Sequence, residues 1–237
     1  MEPKVLRERL VDLLNKEYAA QQDFLNGLTD AERAEAGTPD RWAPKDLLAH
    51  IAGWQDKQTQ TLAAALEGKT PPGFGDVEEL NAADFETFHT MPWNGVVAFA
   101  EKALSTLIAQ TQTIAEDTLT MTLPSGRPLW GGIVGNGYSH PQTHLAEYYV
   151  RQGQLHVATR MQEAVADALS QLDKPYGRGV ALYNLACFYA VNGQSGKALT
   201  LLPEALKLAP DLVEWSKEDS DLLPLHSEPA YQALYTR

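Results

Sequence analysis

Apolar residues recur at three- and four-residue intervals through most of the chain, the spacing of helices with one buried face. Leu6, Leu10, Leu13, Leu14, Glu17, Phe24 and Leu28 trace a first helix, closed by Gly27 and by Gly37-Thr38-Pro39. A second starts near Pro44, a favourable first-turn residue because that position needs no amide partner. Its inward stripe is Leu47, His50, Ile51, Trp54, Gln58 and Leu62, so His50 faces the same way as the core. Gly68 to Gly75, with Thr70-Pro71-Pro72-Gly73, reads as a loop. Residues 77–90 read as a further helical segment that leaves His89 near the loop before Pro92. A third long helix is predicted from Asn94 to Glu116, with Val97, Ala100, Leu104, Leu107, Ile108, Thr111 and Ile114 as its stripe. Between Leu119 and Leu129, Pro124-Ser125-Gly126-Arg127-Pro128 predicts a turn between two short extended stretches.

The next helix has two candidate starts. Pro141 is tolerated in a first turn, which favours a start near Ser139. A start near Pro128 requires a helix that bends, and Gly137, whose carbonyl would face the Pro141 ring, suits it. Four long helices joined with one crossover describe a four-helix bundle, in which metal sites are built from inward side chains. After Gly153 the pattern changes. A helix is predicted over residues 157–173, and residues 177–210 match one 34-residue tetratricopeptide-type repeat. Leu182, Leu185, Ala186, Tyr189, Gly193, Ala198, Leu202, Ala205 and Pro210 occupy its spacings. Residues 211–237 read as a degenerate closing element. The expected class is all-α: a bundle over 1–155 and a tetratricopeptide-like helical region over 156–237. A single repeat cannot bury its own face. It is expected to pack on flanking helices, on the bundle or on a second chain, as in a homodimer.

Composition narrows the function classes. The 237 residues are 44% hydrophobic, enough for a sizeable core, and the net charge is −12. So acidic a chain repels phosphate backbones and anionic lipid, which argues against nucleic-acid and membrane partners. A single cysteine, Cys187, excludes an internal disulfide and a thiolate zinc cluster within one chain, and is expected in the core. The charged start Met1-Glu2-Pro3-Lys4 lacks the apolar run of a signal peptide, and no stretch is long enough to span a membrane. The chain therefore reads as cytoplasmic.

The candidate chemistry lies in three histidines. His140 and His144 are four residues apart, one above the other on a helix face, close enough to reach one ion. His50 is a third imidazole on a second helix. Three neutral imidazoles with an open position form the donor set of a catalytic-type metal site. The segment His140-Pro141-Gln142-Thr143-His144 is not a zincin motif, which needs glutamate beside the first histidine. Gly131 to Gly137 lacks the Gly-Lys-Ser/Thr ending of a phosphate loop, and Gly137-Tyr138-Ser139-His140-Pro141 lacks the second glycine of a nucleophile elbow. Glu147, three residues after His144, reads equally as a fourth ligand, an acceptor for an imidazole N–H, a general base or a solvated residue. Tyr138 and Tyr148 are candidates to line the site, or simply core. His89, His156 and His226 lack spacing partners and read as surface residues.

The run Trp42-Ala43-Pro44-Lys45-Asp46-Leu47-Leu48-Ala49-His50-Ile51-Ala52-Gly53-Trp54, followed by His140 and His144, resembles the DinB-like superfamily of metal-binding four-helix bundles, most closely its ClbS/DfsB-type branch. The resemblance covers about residues 1–155. It implies that His50, His140 and His144 hold a divalent metal, commonly zinc or nickel. Members are linked to thiol transfer, isomerisation or hydrolytic self-protection, or have no known activity, so the resemblance names no single reaction. Two expectations follow. In one, the ion lowers the pKa of a bound water or thiol and directs it at an electrophilic small molecule, giving hydrolysis or thiol transfer. The cleft for that substrate is expected between the second and fourth helices near Gly68–Gly75, with Trp54 and Tyr148 as walls and Glu147 as catalytic proton acceptor. In the other, the ion is structural in a stress-response or binding protein, and the C-terminal repeat docks a protein partner.

Overall fold

The computed structural model describes residues 5–124, 126–172 and 174–236, so residues 1–4 and Ser125 of the expected turn lie outside the described residues. The fold is all-helical, with no β-strand among the described residues. Among the described residues no helix is long and apolar enough to cross a membrane. The chain divides into two compact units, Met1–Gln152 and Gly153–Arg237.

In the first unit, α1 (Leu6–Gly27) buries Leu10, Leu13, Leu14, Glu17, Gln21 and Phe24. A short α2 (Asp30–Arg33), not foreseen, is nucleated by a capping box in which the Thr29 amide donates to Glu32 and the Thr29 hydroxyl accepts from the Glu32 amide. Helix α3 (Pro44–Leu66) starts at the expected proline, and Asp46 accepts the Ala43 amide at 3.1 Å. All seven residues from Leu47 to Gly53 are buried, so α3 has no solvent face there. The single inward stripe expected of it is too narrow, because α5 (Trp93–Thr113) packs on one side and α4 (Val77–His89) covers another. Trp54 donates its indole N–H to Asn81 at 3.0 Å, and Lys57 pairs with Asp84 at 2.6 Å, fastening α4 to α3.

Helix α5 (Trp93–Thr113) is shorter than expected. Ile114 is extended and buried, and α6 (Glu116–Leu119) follows. The break lets Glu116 accept the Arg7 amide at 3.0 Å and the Ile114 carbonyl accept the Arg7 guanidinium, satisfying groups at the otherwise unpartnered start of α1. The two extended stretches expected between Leu119 and Leu129 do not form strands. Leu119 is helical, and one isolated bridge, Thr122 with Pro128, spans the turn at Gly126, whose φ of 80° suits glycine.

From Leu129 the chain runs helically to Arg151 in three pieces: α7 (Leu129–Val134), a π-helical turn (Gly135–Ser139) and α8 (His140–Arg151). Of the two starts considered, the one after Pro128 forms, and distortion takes the shape of a widened turn. The cause is Pro141, which lacks an N–H and whose ring would strike the carbonyl four residues back. The His140 amide instead reaches back five residues to Gly135, and the Ser139 hydroxyl donates to the Val134 carbonyl at 3.3 Å. Gly137 in this turn is required: a Cβ there would overlap Leu14 of α1 and come within 3.0 Å of Leu107 of α5. Both α1 and α3 pack on α5 and on this long segment.

The second unit holds α9 (Leu155–Ser170), α10 (Pro175–Val191) and α11 (Ser195–Leu208). Gly193, at φ 73°, turns α10 into α11, whose contact is closed by Ala186, Ala198 and Ala205, all fully buried. Helix α12 (Leu212–Ser216), a 3₁₀ turn (Ser220–Leu225), α13 (Pro229–Gln232) and a last 3₁₀ turn (Ala233–Tyr235) follow, with Leu222, Leu225 and Tyr231 entering the same core. Cys187 is buried as expected and His156 exposed. His226 is not a plain surface residue; it stacks on Tyr231 with ring centroids 5.0 Å apart.

Glu17 lies fully buried on α1 and accepts a 2.7 Å hydrogen bond from Gln142 of α8. Burial raises its pKa to about 8, a shift the Gln142 bond only partly opposes. The folded chain therefore holds this proton more tightly than the unfolded chain, where the group titrates near 4.5. Stability should be full below that pH and should decline as pH rises toward 8, by on the order of a few kcal/mol. Urea unfolding between pH 5 and 9 checks this, and Glu17→Gln should flatten the decline.

Candidate metal centre

Helix α3 carries His50 inward, where only 6% of its surface is exposed. The widened turn delivers His140 as the first residue of α8, and His144 follows one helical turn later. The expected three residues thus come together across two elements. His140 Nε2 stands 2.9 Å from His144 Nε2 and 3.2 Å from His50 Nε2. Nitrogen ligands about 2.0–2.1 Å from a tetrahedral ion stand about 3.3 Å apart, within a few tenths of an ångström of these separations. One ligand atom from each residue lies within 4.8 Å of the others, so the group can hold a metal ion.

Hydrogen bonding among the rings does not account for the arrangement. His144 Nδ1 faces the Glu147 carboxylate at 2.9 Å, and donation there leaves its Nε2 as a lone pair. If His140 donates from Nε2 to that lone pair, the same hydrogen cannot also serve His50. If the proton sits on Nδ1, two lone pairs face each other at 2.9 Å. In both cases His140 Nδ1 is buried without a partner. A cation at the point shared by the three Nε2 atoms relieves the repulsion. Burial, then the neighbouring His144 and His140, lowers the His50 pKa to about 2; burial, then His144, lowers that of His140 to about 3. Both rings are neutral at physiological pH, the form that binds metal.

Aromatic rings wall the cluster. Trp42 lies 4.3 Å from His50 and 5.9 Å from His144, centroid to centroid, and Trp54 lies 6.1 Å from His140. Trp54 lies beside His140, whereas Tyr148, the other wall expected of the substrate cleft, points elsewhere. Its hydroxyl donates to Glu32 at 2.8 Å and its ring meets Phe24 edge-on, so it ties α8 to α1 and α2. Tyr138 is buried. Of the readings open for Glu147, its geometry matches an acceptor for an imidazole N–H: it is exposed and touches the outer nitrogen of His144. The crevice beside His50 does not lie near Gly68–Gly75. It runs between α3 and α4, lined by Trp42, Asp46, Ala49, His50, Asn81, Asp84, Phe85, Phe88 and His89. His89 is therefore not an ordinary surface residue. Sequence reasoning passed over Trp42 as a wall and Asp46 with His89 as a contact. Asp46 in the first turn of the histidine helix was the available signal. Comparison with family models, with curated proteins and with solved structures finds no match to this chain.

Nickel added to the protein at neutral pH should quench part of the tryptophan fluorescence with one-to-one stoichiometry. His144→Ala should abolish the quench, and unchanged binding in that variant would remove the ligand assignment. Glu147→Gln should keep the stoichiometry and weaken the affinity by about tenfold, the low end for an exposed partner of a metal-bound histidine.

Proposed function

We propose that the first unit is a DinB-like four-helix bundle in which His50, His140 and His144 hold zinc or nickel, and that the protein acts on an electrophilic small molecule by hydrolysis or thiol transfer. The observation that carries this reading is the convergence of three imidazole nitrogens that cannot all satisfy one another by hydrogen bonding. When bound, a divalent ion supplies Lewis-acid chemistry, lowering the pKa of a water or thiol and polarising the substrate. The chain's own residues do the rest. Glu147 fixes the tautomer of His144. Trp42 and Trp54 flank the imidazoles with apolar rings, reducing the water around them. The narrow crevice between α3 and α4 sets Trp42, Phe85 and Phe88 beside the polar groups Asp46, His50, Asn81, Asp84 and His89, and a substrate would meet the site at its mouth.

A catalytic ion is favoured over a structural one on two grounds. Three histidines leave coordination positions unfilled. The unit also has apolar core residues of its own, with Leu10, Leu14, Leu47, Ile51, Leu104 and Leu107 almost entirely buried. The second unit we read as tetratricopeptide-like, supported by the α10–α11 hairpin with its Ala186, Ala198 and Ala205 contacts. Exposed Trp215 and Val191 support a protein partner, or a second copy of the chain, on that unit. A non-catalytic binding protein is the reading those two residues favour.

Removing metal with a chelator separates the two. Helical circular dichroism should be unchanged in the metal-free protein, while the melting temperature falls modestly and returns with zinc. Loss of helix on chelation would make the ion structural and leave the binding-protein reading standing.

A further inference from the structure

His89 ends α4 and shares the crevice with His50. Its Nδ1 faces Asp46 Oδ1 at 3.3 Å. Asp46 is itself buried, and its other oxygen is held by the Ala43 amide at the start of α3. Phe85, one turn back, stacks on the His89 ring with centroids 4.9 Å apart and planes 24° from parallel. Lys45 Nζ donates to the carbonyls of His89 and Met91 at 2.6 and 3.2 Å, pinning the backbone where α4 ends. The imidazole is thus held by a carboxylate, a stacked ring and a clamped main chain. Its Nε2 has no partner among the described residues, and the side chain is 39% exposed.

We propose that Asp46 and His89 form a proton-transfer pair on the wall of the crevice beside His50, with His89 Nε2 as general base for an O–H or S–H nucleophile that enters it. A carboxylate on Nδ1–H fixes the tautomer that leaves a lone pair on Nε2 and stabilises the imidazolium that forms. As the nucleophile's oxygen or sulfur bonds to the electrophilic carbon, its bond to hydrogen breaks and the proton passes to Nε2. The carbon–leaving-group bond then breaks, its electron pair goes to the leaving group, and the imidazolium, opposed by Asp46, returns its proton to that group. The charged groups around the ring are Asp46 and Lys45 on α3 and, on its own helix, Asp84, which is engaged by Lys57. Glu147 is thereby released from the role of base. The inference rests on the proposed function in one respect: it takes this crevice as the substrate side of the histidine centre.

The test uses the full-length protein loaded with zinc, with p-nitrophenyl acetate as the electrophile and zinc content measured on every sample. His89→Ala is expected to keep its zinc and its helical content, to hydrolyse the ester at least about tenfold more slowly, and to recover rate when imidazole is added, beyond the hydrolysis that imidazole alone gives; wild type should show no such gain. His89→Gln, whose side chain fills the space of the ring, should show the same loss. A rate within about twofold of wild type, a loss in His89→Ala that imidazole does not restore, or a zinc-bearing wild type that leaves the ester intact overturns the proposal. Wild-type protein that takes up no zinc sinks the metal reading instead, and the pair is then judged without metal by carbethoxylation with diethyl pyrocarbonate. His89 should be modified faster than exposed His156, and Asp46→Asn should slow it. Equal rates at the two histidines, or no effect of Asp46→Asn, overturns the pair.

Discussion

Taking imidazoles out of water is the constraint on which the histidine centre depends. A solvated histidine titrates near neutrality and spends part of its time as a cation with no lone pair to offer. Burial between α3 and α8 removes that competition for His50 and His140, and each neighbouring imidazole adds a further penalty against charge. The same burial makes the cluster costly unless something matches the nitrogens, because unpaired polar atoms are expensive away from solvent. Residues in sequence order serve this one requirement. The dense small-residue run around Ala49, Ala52 and Gly53 lets α3 be enclosed on more than one side. Helix α4 and Trp42 then seal what α3 leaves open.

Much of this was legible in the sequence because it is periodic. The stripe through Leu47, His50, Ile51 and Leu62 placed His50 inward, and the four-residue spacing put His140 and His144 on one face; all three meet as expected. Features without a period were not legible. Trp42 sits in the irregular stretch before Pro44, where no helical spacing says which way it points. Glu32, which draws Tyr148 away from the histidines, belongs to a four-residue helix too short to leave a pattern. The break at Ile114 is invisible because an isoleucine continues the apolar stripe whether or not the helix does; the groups it frees are matched by Arg7, more than a hundred residues away.

The buried polar residues of the first unit mark another limit. Glu17, Gln21, Gln55, Gln58 and Gln142 all lie inside, at positions that a reading by hydrophobicity marks as exceptions. Some are matched across elements, as Glu17 is by Gln142 and Gln58 by Asn136 at 3.3 Å. Such pairs link α1 and α3 to the segment that carries two of the three histidines, with a directionality that leucine packing lacks.

The widened turn at Gly135–Ser139 has a consequence in angular phase. Each residue of a regular α-helix advances the side chains by about 100°. A turn closed over five residues instead of four accommodates one residue more, so everything downstream is rotated by about that step relative to an unbroken helix. In this phase His140 and His144 meet His50, Gln142 meets Glu17, and Leu145 enters the core. Loss of a single residue from the turn would leave the composition of α8 intact and swing all of these contacts away together. One residue of length, and not the identity of any ligand, sets the coincidence of the helix's two tasks: closing the core and presenting its imidazoles.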